Sequence, residues 1–243
     1  MKRLNILMLK IIAALTMLID HIGSFHPIQG WEYMRMIGRV SFPLYAFMLV
    51  QGFIYTRSRW KYLVRLLALA FLTQPIYTWC FYGDAWKWDS LNILFTLSAG
   101  LCGMWLISLG KQVAQKRNTA WWLYCIGLCV AVSGIALLAE PWGMDYGCYG
   151  VLLMLLLYVT AGCKWAWIPI IVLFSLRNQL ATGAWNEPVY QRSIFSVVAL
   201  LPMLLYNGAP GPKPQSKWGA VLYKYGFYAF YPLHLVVLAL IFQ

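Results

Sequence analysis

The sequence predicts an all-α polytopic integral membrane protein, and three observations carry the prediction. Of its 243 residues, 62% are hydrophobic and only 11% are charged, against about 25% charged in a soluble domain. The apolar residues gather into nine runs, at 5–24, 37–56, 62–82, 91–109, 121–139, 147–162, 165–181, 193–206 and 222–241. Most approach the roughly 20 residues that cross a bilayer as a helix. The cations divide unevenly between the segments that join the runs. No polar stretch is long enough for a separate soluble domain, so residues 1–243 read as one transmembrane domain.

The first run follows Met1-Lys2-Arg3, as in a signal peptide, but no small-x-small cleavage site precedes Asp20-His21. It reads as a retained first helix. With the N-terminus cytoplasmic, the inner segments hold most of the cations, from Lys2 and Arg3 through Arg57, Arg59 and Lys61 to Lys217. The outer segments hold only Arg35, Lys87, Arg177 and Arg192. This is the positive-inside bias. The acids agree: Glu32, Asp84, Asp89, Glu140, Asp145 and Glu187 all fall outside, which leaves Asp20 as the one acid within a span. An odd number of spans preserves the alternation and puts the C-terminus outside. The net charge of +12 is thereby explained by topology rather than by nucleic-acid binding. Tryptophans such as Trp31, Trp60, Trp86, Trp121, Trp142, Trp165 and Trp218 sit near span ends, where amphipathic rings favour the headgroup zone. The stretch "NGAPGPKPQSK" (207–217) reads as a cytoplasmic loop.

This orientation assigns a depth to each unusual polar group. His21 lies near the outer end of the first span. Arg39 lies at the outer start of the second, in "IGRVSFP", and Asn92 opens the fourth, in "LNILF". Tyr146 opens the sixth, in "DYGCYG". Arg177 closes the seventh, and Tyr231 and His234 belong to the outer half of the ninth, in "FYPLHL". Several have ordinary readings. Arg39 suits a snorkelling helix end, Asn92 an N-cap and Tyr146 the interfacial belt. Asp20 and His21 stand apart, because a charged residue within a span is expensive unless it is paired or functional. Asp20 is open to pairing with Arg39, to orienting a donor, or to tuning a histidine.

Lys10 and His21 lie three helical turns apart on one face, about 16 Å along the axis, with Ala14 and Met17 between them. Asp20 is rotated about 100° from that stripe. A serine-hydrolase elbow, a phosphate-binding glycine loop and an HExxH helix are all missing from the sequence. The six cysteines show no metal-ligand spacing, and adjacent side chains such as Asp20 and His21 point apart on a helix, so no metal is expected.

These blocks resemble the TraX family, whose namesake is a conjugal-transfer protein that acetylates pilin. The resemblance runs through "LKIIAALTMLIDHIG", "IGRVSFPLYAFMLVQGF", "NILFTL", "YGCYGVLLML" and "FYPLHL". That family is similar in turn to integral-membrane acyltransferases, which often carry an Arg-x10-His motif on the first helix. Here Lys10-x10-His21 keeps the spacing with lysine in place of arginine.

The resemblance implies acyl transfer, with acetyl-CoA as donor, at the bacterial cytoplasmic (inner) membrane. The acceptor would be a pilin amine, a glycan or a lipid at the outer face. In that scheme Lys10, Arg57 and Arg65 attract the donor's phosphates, and His21 is the general base or acyl carrier. Asp20 orients the site, and Arg39 and Asn92 steady the oxyanion. His234 is a second acid–base group, and Tyr146, Arg177 and Tyr231 face the acceptor. Two other classes are compatible with the same residues. One is a proton-coupled transporter or channel using Asp20, His21 and His234. The other is a non-catalytic membrane chaperone for pilin.

Overall fold

The computed structural model describes residues 4–25, 32–116, 126–134, 143–212 and 214–242. Lys2, Arg3, Trp31, Trp121, Glu140, Trp142 and most of the 121–139 run lie outside them. The described chain is helical. Twelve helices follow in order: α1 (Ile6–Phe25), α2 (Glu32–Gly38), α3 (Ser41–Tyr55), α4 (Arg59–Tyr82), α5 (Ile93–Lys116), α6 (126–134), α7 (Gly147–Val159), α8 (Trp167–Ser175), α9 (Arg177–Thr182), α10 (Pro188–Ile194), α11 (Leu200–Leu205) and α12 (Lys217–Phe242).

Among the described residues, five helices are long and apolar enough to cross a membrane: Ile6–Phe25, Glu32–Tyr55, Arg59–Tyr82, Ile93–Lys116 and Tyr225–Phe242. The sixth to eighth runs form shorter helices, Gly147–Val159, Lys164–Ser175 and Tyr190–Leu205. Thirteen residues of α7 rise about 20 Å, short of a hydrocarbon core of about 30 Å. Among the described residues the nine runs thus give five long helices and three short ones, the short ones being the sixth to eighth runs, which are also short in the sequence, with the fifth run described only at 126–134. Trp60, Trp86, Trp165 and Trp218 are exposed, as belt residues would be.

The second run begins earlier than its hydropathy suggests, at Glu32, and breaks at Arg39-Val40. Pro43 explains the break, since its ring clashes with the carbonyl four residues back. The chain passes the break through Arg39 N–H to Met36 O and Val40 N–H to Ile37 O. Arg39 thus sits at a corner between two helices.

The chain forms two compact units, residues 1–48 with 163–243, and residues 49–162. In the first, α1 packs on α2 and α12. Lys10 Nζ lies over the rings of Tyr223 and Phe227, and His21 meets His234. Residue numbers rise together along both helices, so α1 and α12 run parallel. The segment before α1 is tied down by Leu4 N–H to Leu205 O, Ile6 N–H to Ala209 O and Asn207 N–H to Leu4 O. Phe47 of α3 packs edge-on against Trp167 and Tyr206, with centroids 5.0 and 5.6 Å away. Lys164 donates to the Tyr206 carbonyl at 2.9 Å, at the end of α11.

The second unit is organised by a buried amide pair. Gln74 on α4 donates to Ser90 O (2.8 Å), and its Oε1 accepts from Asn92 N–H and Asn92 Nδ2 (2.9 and 2.8 Å). Asn92 Nδ2 also donates to Ala70 O (2.9 Å), and its Oδ1 accepts from Leu94 N–H, the N-cap bond of α5. Both amide hydrogens are committed and the residue is fully buried. Asn92→Ala should therefore lower stability by about 1–3 kcal/mol by leaving Ala70 O and Gln74 short of donors. The unfolding midpoint of the purified protein reads this loss.

Gly143 is held at φ 56°, where a Cβ would lie 2.0 Å from the Asp89 carbonyl oxygen. Its own carbonyl accepts from Leu91 N–H. Gly143→Ala must break that loop contact, and the expected outcome is a lower unfolding midpoint and a lower yield of folded protein.

Candidate functional site

Most of the candidate side chains of the first unit gather around the last turns of α1. The adjacent residues Asp20 and His21 serve different neighbours, as the rotation between them requires. Asp20 faces α2. Its Oδ2 accepts from Arg35 Nη1 at 2.7 Å, and Arg39 Nη2 lies 4.0 Å from Oδ1. Of the readings open for Asp20, pairing with Arg39 is present at 4.0 Å, and Arg35 is a second and closer partner. Arg35 is the close partner because it lies in the last turn of α2 against α1, whereas Arg39 stands past the helix end. Gly38 makes this approach possible: a Cβ there would lie 2.1 Å from both Cβ and Oδ1 of Asp20.

His21 faces α12. Its Nδ1 is 2.7 Å from His234 Nε2, and the ring planes differ by 5°. A centroid separation of 4.9 Å is what two coplanar rings give when joined nitrogen to nitrogen at that distance, so they meet edge to edge. His234 Nδ1 is 2.8 Å from the Phe230 carbonyl oxygen. A carbonyl only accepts, which assigns the proton to His234 Nδ1. In the neutral ring its Nε2 is then the acceptor, His21 Nδ1–H donates to it, and His21 Nε2 carries the lone pair. The Phe230 ring lies nearly parallel to His234, at 4.8 Å and 10°. Tyr231, also buried, has its ring 5.8 Å away. The arrangement can take up a proton at a defined atom.

The structure brings Asp20, His21, Arg39, Tyr231 and His234 together. Arg177 also belongs to this unit, but its guanidinium donates to Phe174 O at 2.8 Å and lies over the Phe174 ring. This closes the end of α8 and accounts for the break before α9. Lys10 is further down the α1–α12 seam, below the buried Ala14 and Met17. Asn92, Tyr146, Arg57 and Arg65 belong to the second unit. There Asn92 has no amide hydrogen left for an oxyanion, which replaces its expected role with a structural one. Tyr146 takes a left-handed φ of 63° at the start of α7. Arg57 and Arg65 are exposed, and Arg65 Nε donates to Lys61 O.

In the sequence Arg35 reads only as one of the outer cations, because it precedes the apolar run that begins at 37, and its bond to Asp20 comes from the fold. The signal was Glu32 and Arg35, one turn apart, beside an intramembrane acid in need of a cation. Glu32 in turn receives Arg192 Nη2 of α10 at 3.0 Å. Among the described residues no group of three or more His, Cys, Asp or Glu side chains is placed to hold a metal ion.

Comparison with known proteins decides the family. The family described as TraX protein matches residues 6–242. The chain belongs to the TraX family. This TraX family member is also 30% identical to the probable fimbrial assembly protein FimC, serogroup H1, of Dichelobacter nodosus, over 95% of the chain and 92% of that protein. No solved structure matches it. The TraX match covers α1 to α12, and so includes the whole of the Asp20–His21–His234 arrangement.

Proposed function

We propose that the protein is a multi-pass acyltransferase of the bacterial inner membrane that serves pilus or fimbrial assembly. It moves an acetyl group from cytoplasmic acetyl-CoA to an amine or hydroxyl of an acceptor at the outer face. The acceptor is a pilin, a glycan or a lipid. The observation that carries this reading is the carbonyl–His234–His21 chain, which leaves a basic nitrogen at His21 Nε2. His21 takes the proton from the acceptor nucleophile as the new C–N or C–O bond forms. The thioester C–S bond breaks, and the departing thiolate recovers a proton. His234 holds the tautomer, and the guanidinium group of Arg39 is suited to developing negative charge.

The parallel α1–α12 pair supports an odd number of crossings, and the cation bias supports the N-terminus inside and the C-terminus outside. The seam between these helices supports a donor route, with Lys10 toward the inner end and the histidines toward the outer end. Lysine serves there as a point charge for phosphate. A proton relay through Asp20, His21 and His234 has less support, because Asp20 is bonded to Arg35 rather than to either imidazole.

The test supplies purified protein in lipid with labelled acetyl-CoA and the pilin or membrane fraction of its own host. Label in an acceptor supports the reading. Specific acceptor binding without any mass change supports a chaperone and overturns it.

A further inference from the structure

The second unit carries its charges unevenly. Its described acids, Asp84, Asp89 and Asp145, lie at the end where α4 stops and α5 and α7 start. Lys87 is at that end too, 3.9 Å from Asp89. The opposite end, where α4 starts and α5 stops, holds Arg57, Arg59, Lys61, Arg65, Lys111 and Lys116. Among the described residues none of these six is in an ion pair. Five are exposed, and water can serve them. Arg59 differs. It is partly buried, its Nη1 donates to Oγ of the buried Ser108 at 2.7 Å, and its guanidinium lies 4.8 Å over the Phe53 ring. Neither neighbour carries a charge. A guanidinium drawn partly out of water calls for an anion, and the described residues at this end supply none.

A second cation comes within reach of the same place. Ser108 and Lys111 are three residues apart on α5, so their Cβ atoms stand about 5–6 Å apart on one face. Arg59 reaches Ser108 from α4, and the long side chain of Lys111 can cover the remaining gap. The surroundings are apolar. Trp60 and Trp105 have ring centroids 6.4 Å apart, and Trp60, Leu106 and Leu109 are exposed. Tryptophans of this kind favour the headgroup zone.

We propose that Arg59 and Lys111 bind the phosphate of an anionic phospholipid, whose acyl chains lie along Trp60, Leu106 and Leu109. Guanidinium N–H groups suit phosphate oxygens, and the lysine adds a point charge. A soluble phosphate would use the cations but not the exposed apolar flank. Placing the lipid in the cytoplasmic leaflet rests on the orientation proposed above. The site itself rests on these residues and is independent of acyl transfer.

The test is thermal unfolding of the full chain in phosphatidylcholine nanodiscs with a rising fraction of phosphatidylglycerol, at fixed ionic strength. Each variant is read against its own midpoint in pure phosphatidylcholine, so a loss of stability alone does not move the apparent affinity. The expected result is a midpoint that climbs and saturates. Lys111→Gln, at an exposed side chain, weakens the apparent affinity about fivefold, the worth of one cation near a membrane surface. Arg59→Gln weakens it by about tenfold or more, and Arg59→Lys, which keeps the charge without the fork, falls between. Lys87→Gln makes the same change in net charge at the opposite end and leaves the affinity as it was.

A midpoint indifferent to phosphatidylglycerol overturns the proposal. Equal weakening in Lys87→Gln and Lys111→Gln also overturns it, because the effect is then net charge alone. A comparable rise from glycerol phosphate or acetyl-CoA in pure phosphatidylcholine, lost in Arg59→Gln, overturns it in favour of a soluble phosphate. Acetyl transfer is not read in this experiment, so failure of the enzyme reading and failure of the lipid site are separate results.

Discussion

Replacing His21 by alanine should reduce acetyl transfer by about 10²–10⁴-fold, the usual contribution of a positioned acid–base group. The chain should stay folded, because the rest of the α1–α12 seam, with Lys10 over Tyr223 and Phe227 and the buried Ala14 and Met17, is untouched. His234 gives the more diagnostic result. His234→Ala removes the acceptor that fixes the His21 tautomer but leaves His21 itself in place. It should lower kcat by about tenfold to a hundredfold, as losses of orienting partners do, with the KM for acetyl-CoA unchanged. His234→Gln offers an amide oxygen to His21 Nδ1–H and should recover part of the rate. A purely structural His234 would show instead a lower unfolding midpoint in both variants, with kcat per folded molecule unchanged. Activity and thermal unfolding measured on the same preparations separate the two.

The second large effect is expected at Gly38. An alanine there would place its Cβ 2.1 Å from the Cβ and Oδ1 of Asp20. The obstruction includes the root of the Asp20 side chain, so a rotamer change cannot clear it, and α2 must move away from α1. Overpacking alone costs about 1–3 kcal/mol. The movement also draws Arg35 off the carboxylate, and stranding one partner of a mostly buried pair costs about 3–5 kcal/mol. Gly38→Ala should therefore yield a poorly stable protein with transfer activity near background. The same substitution in an Asp20→Gly chain, which lacks the clashing Cβ, should be less damaging than the two single changes predict. Additive losses would count against the steric account.

Much of this was legible in the residues. The long apolar runs of α1, α4 and α5 announce themselves by composition. Asp20-His21 is conspicuous because any charge is rare inside such a run. The depth assignment also put His21 and His234 in one leaflet, but it could not bring them to 2.7 Å. That required knowing that α1 and α12 are neighbours, and nothing in either helix states its partner. Arg35 escaped for a related reason. Helix α2 continues the second span beyond its apolar part, and hydropathy ends the span at the first charges. Asn92 pointed the other way. A buried asparagine looks chemical until Gln74 and Ala70 are found to use all of its donors, and those residues lie on another helix. The break ahead of Pro43, which sets Arg39 on a corner 4.0 Å from Asp20, was not read from the run's hydropathy.

The bond between His21 and His234 joins residues 213 positions apart. At about 5–20 residues per second, a ribosome needs roughly 10–40 s to make the chain between them. Throughout that interval His21 is already synthesised and its imidazole has no second ring to fix its tautomer. The pair forms only once residue 234 has been made and α12 packs beside α1. A chain that stops short of His234 keeps Lys10 and Asp20 but lacks the second ring that fixes the His21 tautomer.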